Sequence, residues 1–144
     1  MTVISRSAIV PYTTMQMFQL VDKVEDYPHF LPWCHASEVT FRNDNEVKAT
    51  LILLKGGIRK SFATHNFTQS GKMIEIRLLS GPFRHLHGFW RFDPLSDTHS
   101  KIALDLEFEF SSKLISLALN PIFNQIGDTL VDAFHQRAKT IYGN

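Results

Sequence analysis

Over the last two thirds of this chain the apolar pattern changes its repeat length once, and that change limits what it can fold into. From about residue 39 to residue 110 side chains alternate with period two, and beyond that apolar positions recur at helical spacing. The alternation is cleanest where Ile102, Leu104, Leu106, Phe108 and Phe110 interleave with Ala103, Asp105, Glu107 and Glu109. A strand of that kind has one apolar and one solvated face, as in an antiparallel sheet covered on one side. The later stripe is Ile115, Leu119, Ile122, Phe123, Ile126, Leu130, Phe134 and Ile141. A long helix with such a stripe has one obvious place to bury it, the apolar face of a curved sheet. One helix does not easily fill the concavity of that sheet, so a pocket between the two is expected.

Turn residues divide the alternating region into strands. Asn43-Asp44-Asn45, Gly56-Gly57, Ser70-Gly71-Lys72 and Asp93-Pro94 each end an apolar–polar run. The expected strands begin at Val3–Val10. They continue with one opening at Val39 and Phe41, one through Val47 to Leu53, Ile58–Phe67, one through Ile74 to Leu78, one through Leu86 to Phe92, and Ile102–Phe110. Between the first two, Thr13 or Thr14 caps a short helix with Met15, Phe18 and Val21 inward, and a second short turn or helix covers Val24–Tyr27. Ser111 or Ser112 caps the last helix, Asn120-Pro121 is expected to interrupt it, and Gly143 to stop it. The fold class is therefore α+β: a curved antiparallel sheet of about seven strands around a long C-terminal helix, with two short helices after the first strand. The 144 residues are read as one domain.

The segment Tyr27-Pro28-His29-Phe30-Leu31-Pro32-Trp33-Cys34 belongs to neither period. Its prolines exclude a regular helix interior or a central strand. Exposed apolar side chains on a loop are an aggregation liability unless the loop covers a cavity or meets a partner. The segment is therefore read as a rigid apolar lid, with Gly81-Pro82-Phe83 as an opposite lip.

Composition removes other classes. Net charge is +1, so no global field points to DNA or an anionic membrane. Cys34 is the only cysteine, which excludes an internal disulfide and fits a reducing, cytoplasmic setting. No signal-like h-region is seen at the start, and the run Leu51–Leu54 is far too short to span a bilayer. Seven histidines show no HExxH or CxxC context, so no metal is expected. Most carboxylates, Glu75, Asp105, Glu107 and Glu109 among them, point to solvent by alternation, and helix-end capping explains Glu25 and Asp26 near the lid, so the signal for a general acid or base in the interior is thin.

The order of elements and several motifs resemble the helix-grip, START-like fold. More narrowly, they resemble the coenzyme Q-binding START-like family, whose bacterial members are also named ribosome association toxins, within the polyketide cyclase-like superfamily. The resemblance runs nearly end to end. It rests on Met17-Phe18-Gln19-Leu20-Val21, Val24-Glu25, the Tyr27–Cys34 segment, Gly81-Pro82-Phe83 with Leu86 and Gly88-Phe89-Trp90, and Phe92-Asp93-Pro94-Leu95. Leu106-Glu107-Phe108-Glu109-Phe110-Ser111, Phe134-His135-Gln136-Arg137-Ala138 and Tyr142-Gly143 complete it. It implies a hydrophobic tunnel that accepts ubiquinone or a similar isoprenoid lipid as ligand, with no cofactor required, in support of respiration. It also implies association with the large ribosomal subunit that blocks subunit joining. The superfamily contains cyclases and aromatases, so a cyclase-like enzyme is the third reading, behind a non-enzymatic carrier.

Candidate wall residues are Phe30, Leu31, Trp33, Phe83, Leu86, Trp90, Leu106, Phe108, Phe110, Phe123, Ile126, Leu130 and Phe134. The residues alone leave a filled core and a ligand cavity both open. Thr64, Asn66, Tyr27 and Arg77 are candidate donors to a quinone head, with the Trp33 and Trp90 indoles beside them. Arg42, Lys48, Lys55, Arg59 and Lys60 are candidates for a basic patch, and Lys48, Arg59 and Lys60 for ribosome contact. Leu114, Leu117 and Ala118 are read as a gate making transient membrane contact, which would place the protein peripherally at the inner membrane.

Overall fold

A computed structural model describes residues 1–143. Strands β1 (Thr2–Val10), β2 (Cys34–Arg42), β3 (Glu46–Lys55), β4 (Ile58–Gln69), β5 (Met73–Ser80), β6 (Phe83–Pro94) and β7 (Ser100–Phe110) form one antiparallel sheet in the order β1-β7-β6-β5-β4-β3-β2. Helix α1 (Thr14–Asp22) and a 3₁₀ helix (Val24–His29) lie between β1 and β2, and α2 (Lys113–Tyr142) follows β7. The expected helix-grip architecture is present.

The topology explains the odd segment. Strands β1 and β2 are consecutive in sequence yet occupy opposite edges of the sheet, whereas β2 to β7 are joined neighbour to neighbour. The stretch from Pro11 to Trp33 must therefore cross the open side of the curved sheet. Its helix α1 starts on a capping box, with Thr13 Oγ1 accepting from Gln16 N and Gln16 Oε1 accepting from Thr13 N. Met17, Phe18 and Val21 are its buried residues. Met15 was expected inward but is exposed, resting on the β4–β5 turn where Ser70 Oγ donates to its sulfur.

Three further boundaries differ from the sequence reading. Strand β2 begins at Cys34, five residues before Val39, because Cys34 already pairs with Leu53. Register shifts between Cys34 and Ala36 and between Val39 and Phe41 break the alternation that would have revealed it. The expected short helix from Val24 to Tyr27 is a 3₁₀ helix that continues through Pro28 and His29, which were read as part of the irregular segment. Helix α2 runs unbroken through Pro121. The proline removes the N–H that would bond the carbonyl of residue 117, and Leu117 is exposed, so that loss falls on the solvent side of the helix. Asn120 Nδ2 donates to Ser116 Oγ and Asn124 Nδ2 to the Asn120 carbonyl, which hold the turn together. The buried stripe of α2 is Leu119, Phe123, Ile126, Gly127, Val131, Phe134 and Ala138, so Ile141 is exposed, contrary to expectation. Gly143 ends the helix at a φ of 79°, a left-handed conformation that suits glycine.

Candidate functional site

The backbone of α2 lies along β1 and β7. Gly127 permits this approach, since an added Cβ would overlap the Cδ1 of Ile4 on β1. Arg6 on β1 also pairs with Asp128. The β1–β7 side of the concave face is thus closed by the helix, and the β3–β5 side is spanned by side chains alone.

Two aromatic groups hold the ends of that span. Phe134, fully buried, meets Tyr27, Phe30 and Trp90 at ring-centre distances of 5.5, 5.3 and 5.3 Å. The lid is therefore seated on the C-terminal half of α2. Leu31 is 2% exposed, Phe30 and Trp33 are partly exposed, and the Arg137 guanidinium lies 5.0 Å over the Phe30 ring. The backbone N–H of Leu54 donates to the Trp33 carbonyl, which pins the lid to β3. The second group is Phe62, Phe83, Phe108, Phe110 and Phe123 on β4, β6, β7 and the N-terminal half of α2. Phe83 reaches it because a register shift between Phe83 and His85 turns its side chain to the concave face. Phe83 is 6% exposed and packs among these rings, so it is an interior residue and not a lip opposite Phe30.

Between the two groups the interior is incompletely covered. Ile76 and Leu78 on β5 share the concave face with buried Ile74, yet both remain partly exposed. Ile58 on β4 and Ile122 and Leu130 on α2 are also partly exposed. Of the candidate wall, Leu86, Trp90, Leu106, Phe108, Phe110, Phe123, Ile126 and Phe134 are buried and join one hydrophobic cluster. Ile76 and Leu78 were missed as wall residues. The parity they share with Ile74 was the signal that places them inward.

The polar candidates separate cleanly. Thr64, Asn66 and Thr68 occupy the concave face of β4 beside Phe62 and are buried. Thr68 was missed, although the same alternation assigns it inward. Arg77 lies on the convex face, bonded to Glu75 and stacked over Phe67 at 4.6 Å, so it is not an interior donor. Tyr27 spends its hydroxyl on the Val21 carbonyl, and burial raises its pKa further from ionisation. Burial likewise pushes the Cys34 thiol up to about 11, which suits a packing residue rather than a nucleophile.

The convex face carries three of the seven imidazoles. His65 bonds Glu46, His85 bonds Glu107, and His87 bonds Glu75. The Arg77 and His87 hydrogen bonds hold the Glu75 carboxyl below its usual range. Among the described residues no three His, Cys, Asp or Glu side chains converge as a metal site.

The basic candidates do not form one patch. Arg42 is paired with Asp22 and Glu25, and Lys55 donates to Gln125 on α2. Arg59 and Lys60 are exposed at the β3–β4 tip on opposite faces, opposite Leu54 and Leu53. Lys48 pairs with His65, six residues along β4 from Arg59, or about 20 Å away. Leu114 and Leu117, 79% and 78% exposed, stand on the first turns of α2. No helix among the described residues is long and apolar enough to cross a membrane.

Comparison with known proteins agrees with this architecture. Residues 10–135 match the family described as polyketide cyclase / dehydrase and lipid transport. The chain is 44% identical over 142 residues to the ribosome association toxin RatA of Pseudomonas aeruginosa, covering 99% of each. It is 42% identical over 139 residues to the RatA of Escherichia coli, covering 96% of this chain and 88% of that one. A more distant relative is the mitochondrial coenzyme Q-binding protein COQ10 homolog B of Xenopus laevis, 29% identical, where 96% of this chain covers 59% of that protein. Among solved structures, an 18 kDa protein of Caulobacter crescentus superposes with a TM-score of 0.77 at 30% identity, covering 100% of both chains. The Zhui aromatase/cyclase of a Streptomyces superposes with a TM-score of 0.79 at 14% identity, covering 96% of this chain and 93% of that one, a likeness of fold alone. With its helix gripped by a seven-stranded sheet and its relatives matched along nearly the whole length, the chain belongs to the polyketide cyclase / dehydrase and lipid transport family, among the ribosome association toxins.

Proposed function

We propose that this chain is a non-enzymatic binder of a hydrophobic ligand, a polyprenyl quinone such as ubiquinone, held between α2 and the β3–β5 side of the sheet. The observation that carries this is the partial exposure of Ile76 and Leu78, which face the helix from the middle of the sheet. Each methylene of a ligand buried against them contributes roughly 0.8 kcal/mol. The coenzyme Q-binding relative supports the same ligand class.

Lipid extraction of the purified protein followed by mass analysis tests it. A polyprenyl quinone is the expected bound species. Trp90→Ala is a poor control, because Trp90 is 1% exposed and its removal empties core, at a cost of about 3–5 kcal/mol. Leu130→Trp, at a partly exposed position on the helix, fills space instead and is expected to lower quinone retention by at least about tenfold, equivalent to 1.4 kcal/mol. Retention unchanged in Leu130→Trp would remove the site from this side of the sheet.

A second reading is association with the ribosome, supported by the name of relatives 42–45% identical along almost the entire chain. We propose the large subunit as the target and the exposed β3–β4 tip as its contact. Charge reversal at Arg59 and Lys60 together is then expected to weaken cosedimentation with large subunits, most strongly at low salt, and to make the remaining binding less salt-dependent than that of wild type. Reversal without effect at low salt would move the contact elsewhere.

A further inference from the structure

The interior strip of β4 contains an unanswered hydrogen-bonding group. Asn66 is 8% exposed, and its Oδ1 is buried with no hydrogen-bond partner. A buried polar atom without a partner is costly, and native interiors rarely keep one without a reason. Thr64 and Thr68 flank Asn66 on the same face, so three uncharged polar side chains stand in line where strand alternation calls for apolar ones. Across the sheet, Asn66 sits level with Val47 on one side and Ile76 and Gly88 on the other. Its nearest concave-side neighbour on β5 is thus one of the two incompletely covered isoleucine and leucine side chains.

Charge sharpens the assignment. No charged residue lies on the concave face of β4 between Phe62 and Thr68. On β4 itself the first cation on that face is Lys60, six residues and about 20 Å from Asn66, at the exposed tip. Two strands across, about 10 Å away, Arg42 lies level with Val47 on the same face, but it is already paired with Asp22 and Glu25 and leaves no free counter-charge. A carboxylate or phosphate head placed at Asn66 would be buried without a counter-charge, which is strongly unfavourable. A neutral head carries no such penalty. An amide presents one acceptor and two donors on one plane, and turning it exchanges them.

We propose that Asn66, with Thr64 and Thr68, is the head-group anchor of the interior site. It selects a neutral amphiphile whose head exchanges hydrogen bonds with an amide, with the tail directed along β4 toward Phe62. This rests on the quinone reading above and narrows it. The amide NH₂ donates to a quinone carbonyl, and the amide oxygen accepts from a quinol hydroxyl, so both redox forms are held. Fatty acids and phospholipids are rejected.

The test compares wild type with Asn66→Leu for three probes of similar tail length: a short-chain ubiquinone, a polyprenyl hydrocarbon without a head, and a fatty acid. Wild type is expected to bind the quinone at least tenfold more tightly than either other probe. Asn66→Leu is expected to lose that tenfold preference while binding the hydrocarbon within about twofold of wild type. Because leucine removes the unpartnered amide at similar volume, the ligand-free variant is expected to melt above wild type, which separates loss of recognition from loss of fold. Asn66→Gln retains the chemistry and is expected to keep part of the preference. If wild type binds hydrocarbon as tightly as quinone, or the variant keeps its preference, the anchor is overturned while the interior site stands. If wild type binds none of the probes, both fail. Preferential binding of the fatty acid overturns the charge argument.

Discussion

Phe134→Ala is expected to lower the free energy of unfolding by about 3–5 kcal/mol. Against the 5–15 kcal/mol typical of a domain, that is a large share, and the melting point should fall by on the order of 10 °C. The residue is fully buried and its ring is the hub joining Tyr27, Phe30 and Trp90. Each edge-to-face contact adds about 0.5–1.5 kcal/mol beyond area burial, so truncation costs both volume and geometry. The loss has a direction as well as a size. The lid touches the helix through Phe30, so losing Phe134 should raise amide exchange across Tyr27–Trp33 more than across β4–β5. Thermal melts and hydrogen exchange check the two parts. A drop below 1 kcal/mol, or exchange raised uniformly, would mean that the lid is held chiefly by its own backbone bonds to β3 and not by the helix.

Much of this was legible in the sequence, for a definite reason. A sheet covered on one face must alternate, and β7 does so except at Ala103, which is buried between Ile102 and Leu104; that alternation marked the strand and its large inward residues. The long helix was equally plain. Legibility failed where local signals and tertiary demand diverge. Pro121 reads as a break, yet its lost hydrogen bond falls on the solvent side of α2, and the buried stripe is left unbroken. The start of β2 was hidden by two register shifts. Phe83 was named as a wall residue and is buried, but its reading as a lip opposite Phe30 failed, because one extra residue before His85 turns its ring into the interior. Within the site, the aromatic walls were recognisable, but Ile76 and Leu78 were not singled out. Their incomplete burial follows from where the helix lies, and nothing in their own sequence encodes that. Asn66 and Thr64 were named as polar candidates, whereas Arg77 and Tyr27 were excluded only once their actual partners were seen.

The position of α2 depends on one small residue, and the second large effect follows from it. Gly127→Leu is expected to destabilise by about 1–3 kcal/mol, the usual cost of forcing extra methylenes into a packed core. Leucine favours a helix over glycine by somewhat under about 1 kcal/mol, so the packing loss must exceed that gain to be seen. The geometry indicates that it does. A Cβ at 127 would overlap Ile4 Cδ1 and stand 3.2 and 3.3 Å from Ile4 Cγ2 and Cγ1. Ile4 is 4% exposed, and its backbone is held opposite Leu106 in the β1–β7 register, so the side chain has little room to retreat. Gly127→Ala meets the same overlap with Ile4 but is the milder case, since it adds no atoms beyond Cβ and the helix propensity gain offsets part of the cost. The decisive measurement is the double-mutant cycle with Ile4→Ala. If the clash is the cause, Ile4→Ala/Gly127→Leu should be more stable than the sum of its single effects by at least about 1 kcal/mol. Simple additivity would show that glycine is needed at 127 for some other contact. Moving the helix off β1 also alters the span over β3–β5, so ligand retention should fall in Gly127→Leu and return in the double variant. Stability rescued without retention would separate the closed side of the sheet from the site it positions.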